Sequence, residues 1–160
     1  MVIRINKSGK LLILTLLLII PACSSDILFT DSVKMPGNIW KLSNIPEFTY
    51  PADDTISKTN IVFTLRTGSE FPFRNLYMFV TATSPDGISI TDTLQYDLAD
   101  EKGNWFGKGP GDVHELDLPY RTNVFFPLQG IYSFKIQHGM RIGDIKGVYD
   151  LGLRIETLSR

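Results

Sequence analysis

The chain has a single cysteine, Cys23, so no internal disulfide can brace the fold and any core must hold by packing. Histidine is nearly as scarce, with two residues, and two histidines beside one thiol make no zinc-site pattern. Positive charge is not in excess: 16 Lys and Arg stand against 17 Asp and Glu, which argues against a nucleic-acid partner. The longest predominantly apolar run, Leu11 to Ile20, has ten residues. At about 1.5 Å per residue it covers roughly half of a ~30 Å hydrocarbon core, too little for a membrane-spanning helix. The sequence also lacks a long amphipathic helical pattern, an internal repeat, a low-complexity tract and a Gly-x-Ser-x-Gly turn.

What is present begins with that apolar run. Arg4, Lys7 and Lys10 precede it and Pro21-Ala22-Cys23 closes it, the charged, greasy and small-residue parts of an export signal. An ordinary cleavage site wants a small residue third before the cut, and Ile20 is not small. A branched aliphatic there, Ala22 next to the cut and Cys23 directly after it resemble a bacterial lipoprotein signal. That resemblance implies a diacylglyceryl group on the Cys23 thiol, then cleavage and acylation of the freed amine by a fatty acid such as palmitate. Cleavage after Ser24, with Ala22-Cys23-Ser24 as the small-residue site, is the alternative. Ser24 rather than Asp follows the cysteine, which by resemblance to sorting signals favours the outer membrane over the inner. Residues 1–22 hold three of the 16 basic residues and no acidic one, so the mature chain sets 13 against 17, a net charge of −4. Such acidity argues against adsorption to anionic lipid, and leaves the acyl chains to hold the protein at its membrane.

Residues 1–22 thus read as a lipoprotein signal peptide, 23–37 as a lipidated tether with some order near Ile27 to Phe29, and 38–160 as one domain. From Asn38 the pattern is that of strands. Ile39 to Leu42 is a short one; Asn60 to Thr67 alternates, with Ile61, Phe63 and Leu65 on one face. Asn75 to Thr83 is apolar on both faces and predicts a strand buried on both sides. Ser84-Pro85-Asp86-Gly87 is turn chemistry that joins it to Ile88–Leu98 as a hairpin. In that second strand Asp92 shares the phase of Ile88, Ile90, Leu94 and Tyr96, so either a bulge resets the register or a carboxylate finds an inward partner; the bulge is the expectation. Val113–Leu118, Ile131–His138 and Val148–Glu156 complete the set, separated by Pro119, Pro127-Leu128-Gln129-Gly130 and Gly143-Asp144. The fold class is all-β: an antiparallel β-sandwich of about seven or eight strands, with a jelly roll as one form of it.

The most unusual stretch is Leu98 to Asp112, where Gly103, Gly107, Gly109 and Gly111 surround Trp105 and Phe106. Glycine at this density marks backbone that bends sharply or lies close to something else. One reading is a binding loop for a partner chain or a glycan, built from Gly103, Trp105, Phe106, Gly107, Gly109, Gly111 and Asp112. The plainer one is a long connection pinned down by burying its own Trp. Asp97, Asp100, Asn104 and Asp112 offer oxygen ligands, but their spacing matches no EF-hand and no metal is assigned. His114 lies on the face of Leu116 and Leu118, and His138 on that of Tyr132, Phe134 and Ile136, places for hydrogen-bonded core histidines rather than catalytic ones. No catalytic residue and no cofactor are assigned.

An ordered series of features resembles a known family. After the lipoprotein cysteine come Trp40-Lys41, Asn75-Leu76-Tyr77, Ser84-Pro85-Asp86-Gly87, Asp92-Thr93-Leu94 and Leu98-Ala99-Asp100. The run from Gly103 to Asp112, Met140-Arg141 and Gly147 to Ile155 follow. Together they resemble the GldH family of gliding-motility-associated lipoproteins. The resemblance implies a membrane-anchored, non-enzymatic accessory protein of the gliding apparatus and its associated secretion system, docking on other envelope proteins. A surface lipoprotein that binds glycans through loop aromatics such as Trp105 is the second hypothesis.

Overall fold

The computed structural model describes residues 26–158, so the signal segment and Cys23 lie outside the described residues. Ten strands follow in order: β1 (Ile27–Lys34), β2 (Ile39–Lys41), β3 (Glu47–Ala52), β4 (Thr59–Thr67) and β5 (Asn75–Thr83), then β6 (Ser89–Asp97), β7 (His114–Val124), β8 (Gly130–His138), β9 (Asp144–Lys146) and β10 (Val148–Thr157). A 3-10 turn at Pro36–Asn38 is the one helical element among the described residues. Two four-stranded sheets, β1-β10-β4-β7 and β3-β8-β5-β6, form the sandwich, and β2-β9 is a separate ribbon. Every strand pair is antiparallel. With the ribbon set aside, the first, eighth, third and sixth remaining strands make one sheet and the second, seventh, fourth and fifth the other. That is the strand order of a jelly roll.

The core follows from side-chain alternation. Leu151, Leu153 and Ile155 of β10 lie opposite Leu65, Phe63 and Ile61 of β4, and all six are buried. Facing them are Leu76, Met78 and Val80 of β5, Phe134 and Ile136 of β8 and Phe48 of β3. Each such side chain contributes about 1.5–3 kcal/mol when fully withdrawn from water, which replaces the disulfides the chain lacks. The ribbon closes one end, where Trp40 is fully buried and donates its indole N–H to the Asn44 carbonyl at 3.0 Å.

The structure differs from the sequence reading at five places. Ile27–Lys34, assigned to the tether, is strand β1 and pairs with β10 from Phe29↔Ile155 to Lys34↔Asp150. As an edge strand it tucks in only Phe29 and Val33, so its period is faint. Strand β3 escaped notice because Pro51 lies inside it and Pro46 just before it; at a sheet edge a missing N–H can face water. For the same reason Pro119 does not end β7 but sits within it, and its carbonyl accepts the Tyr96 hydroxyl at 2.8 Å. Strand β5 is buried on one face only, since Tyr77 and Phe79 point to solvent. Finally, β5 and β6 pair without a register shift from Asn75↔Asp97 to Thr83↔Ser89, so there is no bulge at Asp92. Its carboxylate instead accepts hydrogen bonds from the Tyr120 hydroxyl at 2.7 Å and the Arg121 guanidinium at 2.6 Å. Burial pushes the Tyr120 phenol up to about 12, with the Asp92 hydrogen bond acting in the same direction, so it stays a donor to that carboxylate.

Candidate functional site

The glycine-rich run lies in the connection between β6 and β7, at the end of the sandwich closed by the β2-β9 ribbon. Asp100 nucleates its first turn, accepting hydrogen bonds from the backbone N–H of Lys102 and of Asn104, each at 2.8 Å, and from the Asn104 amide at 2.8 Å. The Asn104 amide and backbone N–H together hold the Asp100 carboxyl below the usual carboxylate range. With that carboxylate satisfied from within the loop, the oxygen ligands weighed for calcium do not converge. No cluster of three or more His, Cys, Asp or Glu placed to hold a metal ion occurs among the described residues.

Two isolated bridges, Ala99↔Trp105 and Lys108↔Glu115, fold the connection back against the start of β7. Gly107 and Gly109 make this possible. A Cβ on Gly109 would sit 2.2 Å from the Val113 carbonyl oxygen, and one on Gly107 would sit 2.8 Å from that of Glu115. These glycines are present because backbone lies against backbone, not because a ligand must approach. Gly103 and Gly111 instead have positive φ (84° and 62°) in open turns, and Asp112 is exposed beside Gly111.

The loop splits its aromatic pair. Trp105 turns inward and is half-buried, its ring stacked on His114 at 4.9 Å and 9° and edge-on to Phe71 at 5.9 Å. One face of the ring is thus covered by His114, which pins the loop down. Phe106 turns outward and remains 59% exposed. It stands between two open grooves of about 610 and 710 Å³. Tyr96, Lys108 and Glu115 line the first; Phe73, Arg74 and Glu101 line the second, and Asp97 borders both. The result is an apolar knob among charges of both signs, the composition of a protein-docking rim more than of a small-molecule cavity.

A third recess escaped the sequence reading. Phe73, Tyr77, Met140, Arg141 and Ile142 line a cleft of about 460 Å³ where the outer face of β5 meets the loop after β8. The Tyr77 N–H donates to the Met140 sulfur at 3.3 Å, and Gly139 is so placed that a Cβ would press on the Tyr77 and Phe79 side chains. The available signal was the opposite phase of Tyr77 and Phe79 relative to Leu76, Met78 and Val80.

The two histidines sit in different settings, His114 half-buried under the Trp105 ring and His138 in the core. His138 is fully buried, edge-on to Trp40 at 5.4 Å, and neither ring nitrogen has a hydrogen-bond partner. The Gly143 backbone acts on the ring without meeting hydrogen-bond geometry, so the bond expected of a core histidine is not formed. Burial pushes its pKa down, against a smaller upward pull from the Gly143 backbone and Asp144.

Comparison with known proteins places this arrangement. The family model described as GldH lipoprotein matches residues 28–155, from β1 to the end of the core face of β10. Gliding motility lipoprotein GldH of Flavobacterium johnsoniae is 32% identical over 160 residues, covering 96% of this chain and 98% of that protein. A gliding motility lipoprotein GldH homolog of Christiangramia forsetii is 32% identical over 124 residues, 73% of this chain and 76% of the other. Among solved structures, the VP2 subviral particle of infectious bursal disease virus has 14% identity and a TM-score of 0.33, over 86% of this chain but only 32% of the viral one. Family model and relatives coincide over nearly the whole sandwich, and the chain belongs to the GldH lipoprotein family.

Proposed function

We propose that this protein is a lipid-anchored, non-enzymatic accessory component of the gliding motility and associated secretion machinery, and that it acts by docking on other envelope proteins. The single observation that carries the reading is the match to the GldH lipoprotein family over residues 28–155, with a curated relative of nearly equal length. The lipid is assigned to Cys23, and the outer membrane is favoured by Ser24 after it. Docking is assigned to the end bearing the loop of Gly103, Trp105, Phe106, Gly107, Gly109, Gly111 and Asp112. Within it Phe106 is the exposed anchor, and Trp105 holds the loop in shape. Aromatic side chains that stand free of the surface are favoured hot spots of protein interfaces.

The test is affinity purification from solubilised envelopes in parallel for the native chain and for Phe106→Ala. The expected result is co-purifying envelope proteins that survive added polysaccharide and disappear in the variant while its unfolding midpoint stays put. Capture that is competed away by sugars, or binding to a glycan array abolished by Phe106→Ala, would favour the glycan-binding alternative instead. For that alternative Trp105 has one ring face already stacked on His114, which leaves Phe106 as the more exposed aromatic of the loop.

A further inference from the structure

The two ends of the sandwich differ in where the chain leaves them. Strand β1 enters at the end opposite the Phe106 loop, because Ile27 pairs with Glu156 near the close of β10 and Thr157 pairs with Thr59 at the opening of β4. The same end gathers the β3–β4 loop, the β5–β6 turn and the β7–β8 loop. Gln129 donates its side-chain amide to the Asp53 carbonyl at 2.9 Å, and Gly130 lies against Pro85. Three residues separate Cys23 from Ile27, so an acylated Cys23 stands within about 14 Å of it even if fully extended.

That end is also where exposed hydrophobic side chains collect. Among the described residues, nine of the fifteen large ones lie there or one residue inside it, with Ile56 the most exposed at 86%. Two of them are held out by the same device. Asp54 accepts the Ile56 N–H at 2.8 Å and Asp86 accepts the Ile88 N–H at 3.2 Å, so each aspartate braces a turn that carries an exposed isoleucine, Ile56 within its loop and Ile88 directly after the Pro85–Gly87 turn. Phe125 and Ile131 flank them from the β7–β8 loop and the start of β8.

Resting on the reading that Cys23 is acylated, we propose that this end lies on the lipid surface that holds the acyl chains. Ile27, Ile56, Ile88, Phe125 and Ile131 enter the interface, and the Phe106 end points away from the membrane. The short span to Cys23 identifies the occupant: an anchor this close leaves a lipid surface as the first thing the apolar tips meet. Water would otherwise face a broad apolar patch on a domain that has no need of one for its core. Asp26, Asp53, Asp54 and Asp86 around the tips set the lipid preference. They favour zwitterionic headgroups and oppose anionic ones, with Lys58 the one nearby cation in the β3–β4 loop.

The experiment uses the full-length lipidated protein reconstituted in phosphatidylcholine vesicles. Each variant, Ile56→Cys, Phe125→Cys or Ile142→Cys, carries one reactive thiol, because Cys23 is blocked by its thioether; each is labelled with an environment-sensitive dye. Labels at 56 and 125 are expected to brighten by about twofold or more on reconstitution, as dyes do when buried at the headgroup boundary, and to be quenched by doxyl lipids. The label at 142 should stay accessible to aqueous iodide, and adding phosphatidylglycerol should weaken the signal at 56. Protein that floats with the vesicles while the labels at 56 and 125 remain open to iodide overturns the orientation and leaves the anchor standing. Shielding at 56 that appears only with purified envelope proteins assigns the end to a protein partner, which also overturns it. Failure to float at all removes the acyl anchor and this inference with it.

Discussion

The two ends of the jelly roll use turns for opposite purposes. At the end where β1 enters, short turns braced by Asp54 and Asp86 carry exposed isoleucines. At the other, a long glycine-rich connection folds inward until Trp105 meets His114 and Phe71, the β2-β9 ribbon closes over Trp40, and only Phe106 stands clear. Stability concentrates where side chains converge. The first end is therefore expected to tolerate substitution, whereas the second is expected to be sensitive in its folding, with Phe106 left exposed.

Substitutions at either end test the contrast. Cys23→Ala removes the proposed site of the diacylglyceryl group and of the amide-linked chain and is expected to move the protein entirely from the membrane to the soluble fraction, since no single weaker contact replaces three acyl chains. Fractionation followed by immunoblotting reads this, and a variant that stays membrane-bound would shift the anchor elsewhere.

Glycine substitutions separate the ends next. Gly147 has φ 75° and a Cβ there would lie 2.4 Å from the Phe71 backbone nitrogen. Gly147→Ala is expected to cost about 3 kcal/mol or more, because backbone cannot give way as a side chain does. Gly87, at φ 85° with open space around it, has only the conformational penalty. Gly87→Ala is expected to cost about 1 kcal/mol. Urea unfolding of both variants checks the difference, and equal losses would break the contrast.

Aromatic and aliphatic truncations follow the same logic with smaller effects. Trp105→Ala is expected to lose about 2 kcal/mol, somewhat under the range for a fully buried ring because Trp105 is only half-buried. Ile56→Ala should stay within about 0.5 kcal/mol of the native chain in solution.

Around pH 6.5 the pH dependence of stability is expected to come from the ribbon end, through His138. His138 is held below its ordinary value of 6.5 by burial, so the unfolded chain takes up a proton before the folded one does. Stability is then full above that value and falls as pH drops through 6.5 towards the folded-state pKa, with a slope of at most ~1.4 kcal/mol per pH unit for one proton. His138→Leu should flatten the unfolding midpoint over that range; an unchanged slope would assign it to other groups. Smallest of all, Phe106→Ala is expected to leave thermal unfolding within about 0.5 kcal/mol of native while abolishing envelope-partner capture.

Much of the fold was legible in the chain because strand alternation is a local signal. Ile61, Phe63 and Leu65, and Leu151, Leu153 and Ile155, announce their shared face within one strand's length. Edge strands were not legible. In β1 the polar residues Thr30, Asp31 and Ser32 interrupt the pattern, and in β3 and β7 a proline looks like a stop until a sheet edge is known to excuse its missing N–H. For the loop, glycine density correctly marked close-packed backbone at Gly107 and Gly109, but nothing local distinguishes Trp105 from Phe106. Their fates depend on His114 and Phe71, which arrive from other parts of the chain.

By itself, then, the sequence determined the all-β class and the family, since these rest on composition, short-range period and ordered local motifs. Tertiary structure alone decided which aromatic is free and where the Asp92 carboxylate is neutralised. It also decided that β1 enters at the end opposite the Phe106 loop. Each of these is a relation between residues far apart in the chain, and only the closing of one sheet over the other brings them together.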